Sequence, residues 1–471
     1  MTASTPIAIA IAIAQRITAL RYPDLPAEAV HWAKVAIIDT LACALAGANE
    51  DATRIAEKVS ATYGGAGPAL LWGTNRRLSA LDAAIVNGVA GHALDYDDVN
   101  NTIGGHPSVP ILPALIALGE TLGASGKDLL LAYITGFETQ ARIGCAVNVY
   151  HYRKGWHPTA TLGVFGAAAA SARLLNLDVP KTATALAIAA SLSSGIKANF
   201  GTMTKPLHAG HCSRNGLYAA LMAKDGFTAS HDAFEHAQGY FELFNGAGNY
   251  HVEKILANWA NPLDVLSPGI GLKQYPCCAS THSAIDAALV LRERHQLTPE
   301  HIAKIETVTH APALAHTNRP DPKTALDAKF SVQYCVARAL MHGAVTFDHF
   351  ADSALMQPEL RAMLGKVTAT THPALPKDMG EHYQGVVNIT TTDGQRYSAR
   401  VDQPLRGPQN LAPPDRLEAK FKDCAALALR PDAVPRLYEQ LRGLESITDV
   451  RELTGFMEKS AITANANRAA A

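Results

Sequence analysis

The sequence has little charge, few aromatic rings and no paired-cysteine spacing, and each shortage removes a class of function. Only 18% of the 471 residues are charged, and 41 basic residues stand against 42 acidic ones. A chain so balanced offers no basic field for nucleic acid and no broad attraction to anionic membrane surfaces. Positive charge that matters must therefore be local. The seven cysteines (Cys43, Cys145, Cys212, Cys277, Cys278, Cys335 and Cys424) are an odd number without CxxC spacing. That speaks against a zinc ribbon, a dithiol redox site or a secreted disulfide framework. Buried free thiols in a reducing cytoplasm are expected instead. There is no HExxH motif, and His231 and His236 are five apart, so they do not share a helix face as i,i+4 metal ligands would. Gly64-Gly65-Ala66-Gly67 has neither GxGxxG spacing nor a Walker lysine, which leaves nucleotide binding without support.

What is present is apolar and helical in pattern. Hydrophobic residues make up 48% of the chain, as in soluble globular proteins, and the length allows two cores. The run Ile7 to Ala14 lacks a basic n-region and is too short to cross a bilayer, so it is expected to be the first core helix. Asp24-Leu25-Pro26-Ala27 leads into Val30 to Leu45 and on to Gly47, with Asp as expected cap and Gly as expected stop. Pro158 to Leu175 and a helix after Asp178-Val179-Pro180 follow, both rich in alanine; Gly163 and Gly166 would let another helix approach closely. Beyond Pro276 the pattern changes. Ile305 to His310 and Lys366 to His372 read as short strands, and Gly385 to Thr390 meets Gln395 to Val401 across Thr392-Asp393-Gly394, a hairpin signal. Lys329 to Met341 reads as helix between them. The expected fold class is mainly α: a large helical domain from residues 1–267, a smaller α+β domain over 268–402, and C-terminal helices from 403–471 returning to the helical domain. Pro404 to Pro414 reads as a turn-rich connection, Leu417 to Leu441 as helix, and the last dozen residues as a frayed tail.

Ionisable residues cluster where the surroundings are apolar. Gly91-His92-Ala93-Leu94-Asp95-Tyr96-Asp97-Asp98 is followed closely by Gly105-His106-Pro107-Ser108. Buried polar groups are costly unless partnered, and positioned His and Asp side chains are the commonest acid/base catalysts. His106 with Asp95 reads as functional; Asp97 and Asp98 suit helix capping and surface charge as well as a site. His157 in Gly155-Trp156-His157-Pro158 is placed just before a helix, where its protonation could be tuned. Lys205, in Gly201-Thr202-Met203-Thr204-Lys205-Pro206, reads either as an anion contact or as a surface lysine. Lys273 and His282 flank the point where the pattern changes, and Tyr334 by itself reads as a core aromatic.

These segments, in this order, resemble the MmgE/PrpD family: HALDYDD, GHPS, GWHPTATLGVFGAAAA, NFGTMTKPLHAGH and LKQYPCCASTH, with FSVQY further on. The resemblance spans most of the chain and implies a two-domain homodimer in the cytoplasm, a helical domain with a smaller α+β lid. It implies that Asp95, His106, His157, Lys205, Lys273 and Tyr334 line an active site between the domains, with Lys205, Lys273 and His282 binding substrate. It implies a small polycarboxylate substrate, no metal and no organic cofactor; neither nucleic acid nor membrane is an expected partner. The family includes 2-methylcitrate dehydratase, cis-aconitate decarboxylase and iminodisuccinate epimerase. Val99 stands where the decarboxylases carry Thr, and Val109-Pro110 follows HPS where the dehydratases tend to have Asp-Asn. The sequence ranks dehydration first, epimerisation second and decarboxylation third, with a binding protein lacking catalysis as the non-enzyme alternative. In each reaction Lys205 and Lys273 would anchor carboxylates, His106 and His157 would move protons, and Asp95 would orient an imidazole.

Overall fold

The computed structural model describes residues 7–371, 384–411 and 415–462. His372, Pro413, Pro414 and most of the expected tail lie outside the described residues. The chain is mainly α with an α+β portion. It divides into two compact units at 270/271 and 410/411, with residues 200–202 counted in the second.

The first unit is a pack of helices: α1 (Ile9–Ala19), α2 (Ala27–Gly47), α3 (Asp51–Tyr63), α4 (Ala80–Ala93), α5 (Leu112–Leu122), α6 (Gly126–Val147), α7 (Gly163–Leu174), α8 (Val179–Leu192) and α9 (Thr204–Lys224). Helix α2 is long and apolar enough to span a membrane by composition, yet 83% of that window is buried inside the structure. It packs against α4 and α6, as a core helix does. Helix α9 lies on α4, α7 and α8. The α4–α9 crossing is tight because both helices present glycine: a Cβ on Gly88 would meet Gly210 Cα at 2.6 Å, and one on Gly210 would meet Ile85 O at 2.2 Å. The same reason corrects the expected role of Gly47. It is not a helix stop; it is the last helical residue of α2, and a Cβ there would lie 2.1 Å from Ala90 O. Nor does Asp24 cap α2, because it sits in a separate 3₁₀ turn, Tyr22–Asp24, and Pro26 occupies the cap position. Asp178 does cap α8, accepting from Lys181 N at 2.9 Å. The expected single helix from Pro158 to Leu175 is two, Pro158–Thr161 and α7, meeting at Leu162.

The second unit holds one four-stranded sheet: β1 (Ile302–Thr309), β2 (Val367–Thr371), β3 (Gly385–Thr391) and β4 (Arg396–Val401) in the order β2-β1-β3-β4. Strand β2 runs parallel to β1, with Ile305 opposite Val367, whereas β3 is antiparallel to both neighbours, pairing Ile389 with Ile305 and with Tyr397. Alternate β3 residues are buried, Val387 and Ile389 among them, against α10 (Ala279–Arg294), which lies on β3 and β4. Helix α11 (Val332–His342) follows a short helix, Ala325–Lys329, so the expected Lys329 to Met341 helix is interrupted. The chain then re-enters the first unit through α12 (Arg416–Ala425), α13 (Val434–Arg442) and α14 (Val450–Ser460); the expected Leu417 to Leu441 helix is therefore two.

Candidate active site

The C-terminal end of α4 and the N-terminal end of α9 are brought side by side by the Gly88–Gly210 crossing. His92 lies in the last turn of α4 and Lys205 in the first turn of α9. Past the helix, Asp95 adopts φ +53°, a left-handed conformation that Asp tolerates better than most side chains. That turn reverses the chain and returns Asp97 toward the helix end. The loop beyond closes through paired Asn100 and Gly105. Buried Asp264 clamps it, accepting from Asn100 Nδ2 and Thr102 Oγ1 at 2.8 Å each. His106 is fixed by its backbone N–H, which donates to Thr159 Oγ1 at 3.0 Å.

The result is a continuous buried network. Lys205 Nζ donates to Asp95 Oδ1 at 2.6 Å and to His92 Nε2 at 2.7 Å. His92 Nδ1 lies 2.9 Å from Asp97 Oδ2. His106 sits between the carboxylates, its Nδ1 3.1 Å from Asp97 Oδ2 and its Nε2 3.6 Å from Asp95 Oδ1. The His157 ring stacks on His92 at 5.7 Å between centroids, and its Nδ1 is 3.1 Å from His208 Nδ1. Asp95, Asp97, His92, His106, His157 and Lys205 are all between 0 and 7% exposed.

Protonation follows from this geometry. Burial, reinforced by the Lys205 and His106 charges, outweighs the pull of Asp97 and lowers His92 to about 4. His92 is then neutral at pH 7, with Nδ1–H donating to Asp97 and Nε2 accepting from Lys205. Burial would raise Asp97, but the His106 and His92 imidazoles overcome it and hold the carboxylate well below its ordinary value. Burial first, then the charge of Lys205 and the neighbouring imidazoles, pushes His157 well down; burial and the charges of His92 and Lys205 take His208 to about 4. The site thus combines a buried ammonium, an ionised carboxylate and neutral imidazoles. One donor atom each from His92, Asp95, Asp97 and His106 lies within 4.8 Å of the others, a donor set that suits a divalent ion. Lys205 Nζ, hydrogen-bonded to two of those four, already supplies the cation.

Four residues singled out in the sequence, Asp95, His106, His157 and Lys205, therefore come together in the first unit. The surface-lysine reading of Lys205 is overturned by its burial in α9. The surface-charge reading of Asp98 is overturned too: it is fully buried, its Oδ2 accepts from Ser108 Oγ at 2.6 Å, and burial followed by the Asp39 charge pushes it well up. Sequence reasoning assigned no role to His92 or His208 and left Asp97 open. The i,i+3 spacing of Lys205 and His208 on one helix was the available signal for His208; nothing local announces the Asp95 turn that delivers Asp97.

The other three lie in the second unit. Lys273 is 1% exposed. His282 Nε2 donates to Cys277 O at 3.2 Å, and its ring meets Tyr275 edge-on. The Tyr334 hydroxyl donates to the His349 carbonyl and accepts from Arg338 Nε and Nη2, both at 3.1 Å.

Comparison with known proteins identifies the family. Residues 11–253 match the model of the MmgE/PrpD N-terminal domain, and residues 275–442 match that of the MmgE/PrpD C-terminal domain. The chain is 31% identical to a cis-aconitate decarboxylase of Homo sapiens over 458 residues, covering 94% of this chain and 93% of the relative. Against a cis-aconitate decarboxylase of Aspergillus terreus the identity is 28%, with 91% and 92% covered. Against a 2-methylcitrate dehydratase of Escherichia coli it is 25% over 363 residues, covering 70% and 71%.

Proposed function

The chain belongs to the MmgE/PrpD family, whose relatives here are lyases, and on that premise we propose that it decarboxylates cis-aconitate or a closely related tricarboxylate. The observation that carries the proposal is Lys205: a buried ammonium held between Asp95 and neutral His92. Losing CO₂ breaks a C–C bond and leaves an electron pair on carbon. That pair delocalises through the adjacent double bond toward a remaining carboxylate, and a preorganised cation in a dry site stabilises the developing charge. A proton must then be delivered to carbon. His106, in reach of both carboxylates, is assigned that delivery, with the neutral His92 and His157 imidazoles available to relay or accept protons. The chemistry needs no organic cofactor as electron sink. Decarboxylation moves ahead of dehydration because the decarboxylase relatives are covered nearly end to end and at higher identity.

Dehydration of a hydroxy-tricarboxylate is the second reading, favoured by the dehydratase match. The same groups would serve it: an imidazole removes the carbon-bound proton, Lys205 stabilises the carbanion, and His106 protonates the departing hydroxyl. Proton NMR in D₂O with cis-aconitate, 2-methylcitrate, citrate and iminodisuccinate, with and without EDTA, tests the proposal. An exomethylene pair with CO₂ release from cis-aconitate is expected. An alkene formed only from a hydroxy acid would move the reaction to dehydration, and loss of an α-proton without an alkene would move it to epimerisation. The proposal extends to a cytoplasmic homodimer. The dimer is supported by an apolar groove of about 290 Å³ on α3, α4 and α9, around which Ile55, Val59, Met203 and Leu207 are 40–55% exposed. Light scattering should return twice the chain mass.

A further inference from the structure

Alternate residues of the turn after α4 face opposite ways. Asp95 and Asp97 enter the histidine–lysine network, whereas Tyr96 and Asp98 face a second buried cluster. Its centre is Lys420 on α12, 324 residues from Tyr96 in sequence. Lys420 Nζ is 2.6 Å from Asp39 Oδ1 on α2, donates to the Tyr96 carbonyl at 2.8 Å, and lies 3.8 Å from the Tyr96 ring centroid. Asp39 is fully buried, and Lys420 nearly so. On the far side, Asp98 holds Ser108, whose hydroxyl also meets the Tyr133 hydroxyl at 2.5 Å, so the loop carrying His106 is tied to the same turn.

We propose that the Lys420–Asp39 pair is a positioning device for the reaction: it grips Tyr96 by carbonyl and ring, and so fixes the direction in which Asp95 and Asp97 present their carboxylates to Lys205, His92 and His106. A buried ion pair is an inefficient way to stabilise a fold, since apolar residues of similar volume often do as well. Here the ammonium makes two contacts to one residue whose neighbours on both sides are the site carboxylates. The left-handed backbone at Asp95 persists only where surrounding structure holds it, and Lys420 is bound to the next residue. The groups facing Lys420 are Asp39, Cys43, Tyr96 and Cys424; among these Asp39 keeps the ammonium charged against the effect of burial.

This inference rests on the lyase reading for its kinetic arm and is independent of it for its spectroscopic arm. The D39N/K420M double substitution removes both charges and leaves neither buried alone. It should melt near the wild-type temperature, lose ~10²-fold in kcat on cis-aconitate, as small misplacements of catalytic groups do, and change KM by less than about threefold. In the substrate-free protein, the His92 Nδ1 proton bonded to Asp97 should give a downfield resonance that the double variant loses. Wild-type kcat together with an intact His92 resonance in the folded double variant would overturn the proposal. Should that variant not fold, K420R decides. Its planar guanidinium keeps the ion pair without reproducing the point charge on both ring and carbonyl, so a reduced kcat with a shifted His92 resonance is expected, and an unchanged pair of readings overturns it. If the wild-type protein turns over none of the acids, the lyase reading fails, and the His92 resonance alone still decides the role of Lys420.

Discussion

The buried Tyr334 hydroxyl of the second unit keeps different company from the buried ionisable residues of the first, and the contrast shows what mutual contact does to protonation. In the first unit, Lys205, Asp95, His92, Asp97 and His106 form one chain of contacts in which each charged group meets an opposite charge or a lone pair. His92 ends neutral and Asp97 ends ionised because of one another. In the second unit, Tyr334 is just as deeply buried, but its hydroxyl closes a purely internal circuit, donating to the His349 carbonyl and accepting from Arg338. Burial alone therefore does not set a protonation state; the mutual contacts of several groups do.

The largest way to break the comparison is His106→Ala. Removing a general acid should cost ~10²–10⁴-fold in kcat, with the melting temperature close to wild type, measured by steady-state turnover of cis-aconitate beside a thermal scan. A kcat equal to wild type would remove His106 from the chemistry.

The second prediction concerns pH. His92 titrates at about 4 in the folded protein against 6.5 ordinarily, so the folded state favours its neutral form. The stability this confers is fully present above pH 6.5 and is lost as pH falls through 4, roughly 3 kcal/mol in all at ~1.4 kcal/mol per unit. The stability difference between wild type and His92→Asn should thus narrow steadily between pH 6.5 and 4 in denaturant titrations. A constant difference would mean that His92 is not held neutral.

The smallest effect on turnover belongs to the second unit. Tyr334→Phe takes the acceptor from Arg338 and the donor from the His349 carbonyl, so it should cost about 1–3 kcal/mol of stability and leave kcat within about twofold. A selective collapse of kcat at unchanged stability would transfer Tyr334 to the catalytic set.

How much of this was readable beforehand depends on distance along the chain. The hairpin of β3 and β4 was legible because the turn signal Thr392-Asp393-Gly394 lies between two short runs, Gly385 to Thr390 and Gln395 to Val401. The Asp178 cap was legible because caps act within three residues. Asp95, His106, His157 and Lys205 stood out as polar residues in apolar company. The α2 start was misread because a 3₁₀ turn intervenes between Asp24 and the helix. His92 and Asp97 acquire their meaning only through the left-handed turn at Asp95 and the glycine crossing of α4 with α9, 113 residues apart at the Lys205–His92 contact. Neither event leaves a local signature. Lys420 is more remote still, since its role exists only once the C-terminal helices have returned to the first unit.

The most direct test of the account is CO₂ release from cis-aconitate by Lys205→Met beside the wild type, both shown to be folded by thermal melting. Removing a preorganised charge of this kind typically costs ~10²–10³-fold in kcat, and the account predicts a loss of at least that size for Lys205→Met in a protein that still melts cooperatively. Release at the wild-type rate from the folded variant would contradict it, because the reaction would then be proceeding without the cation on which the site is built.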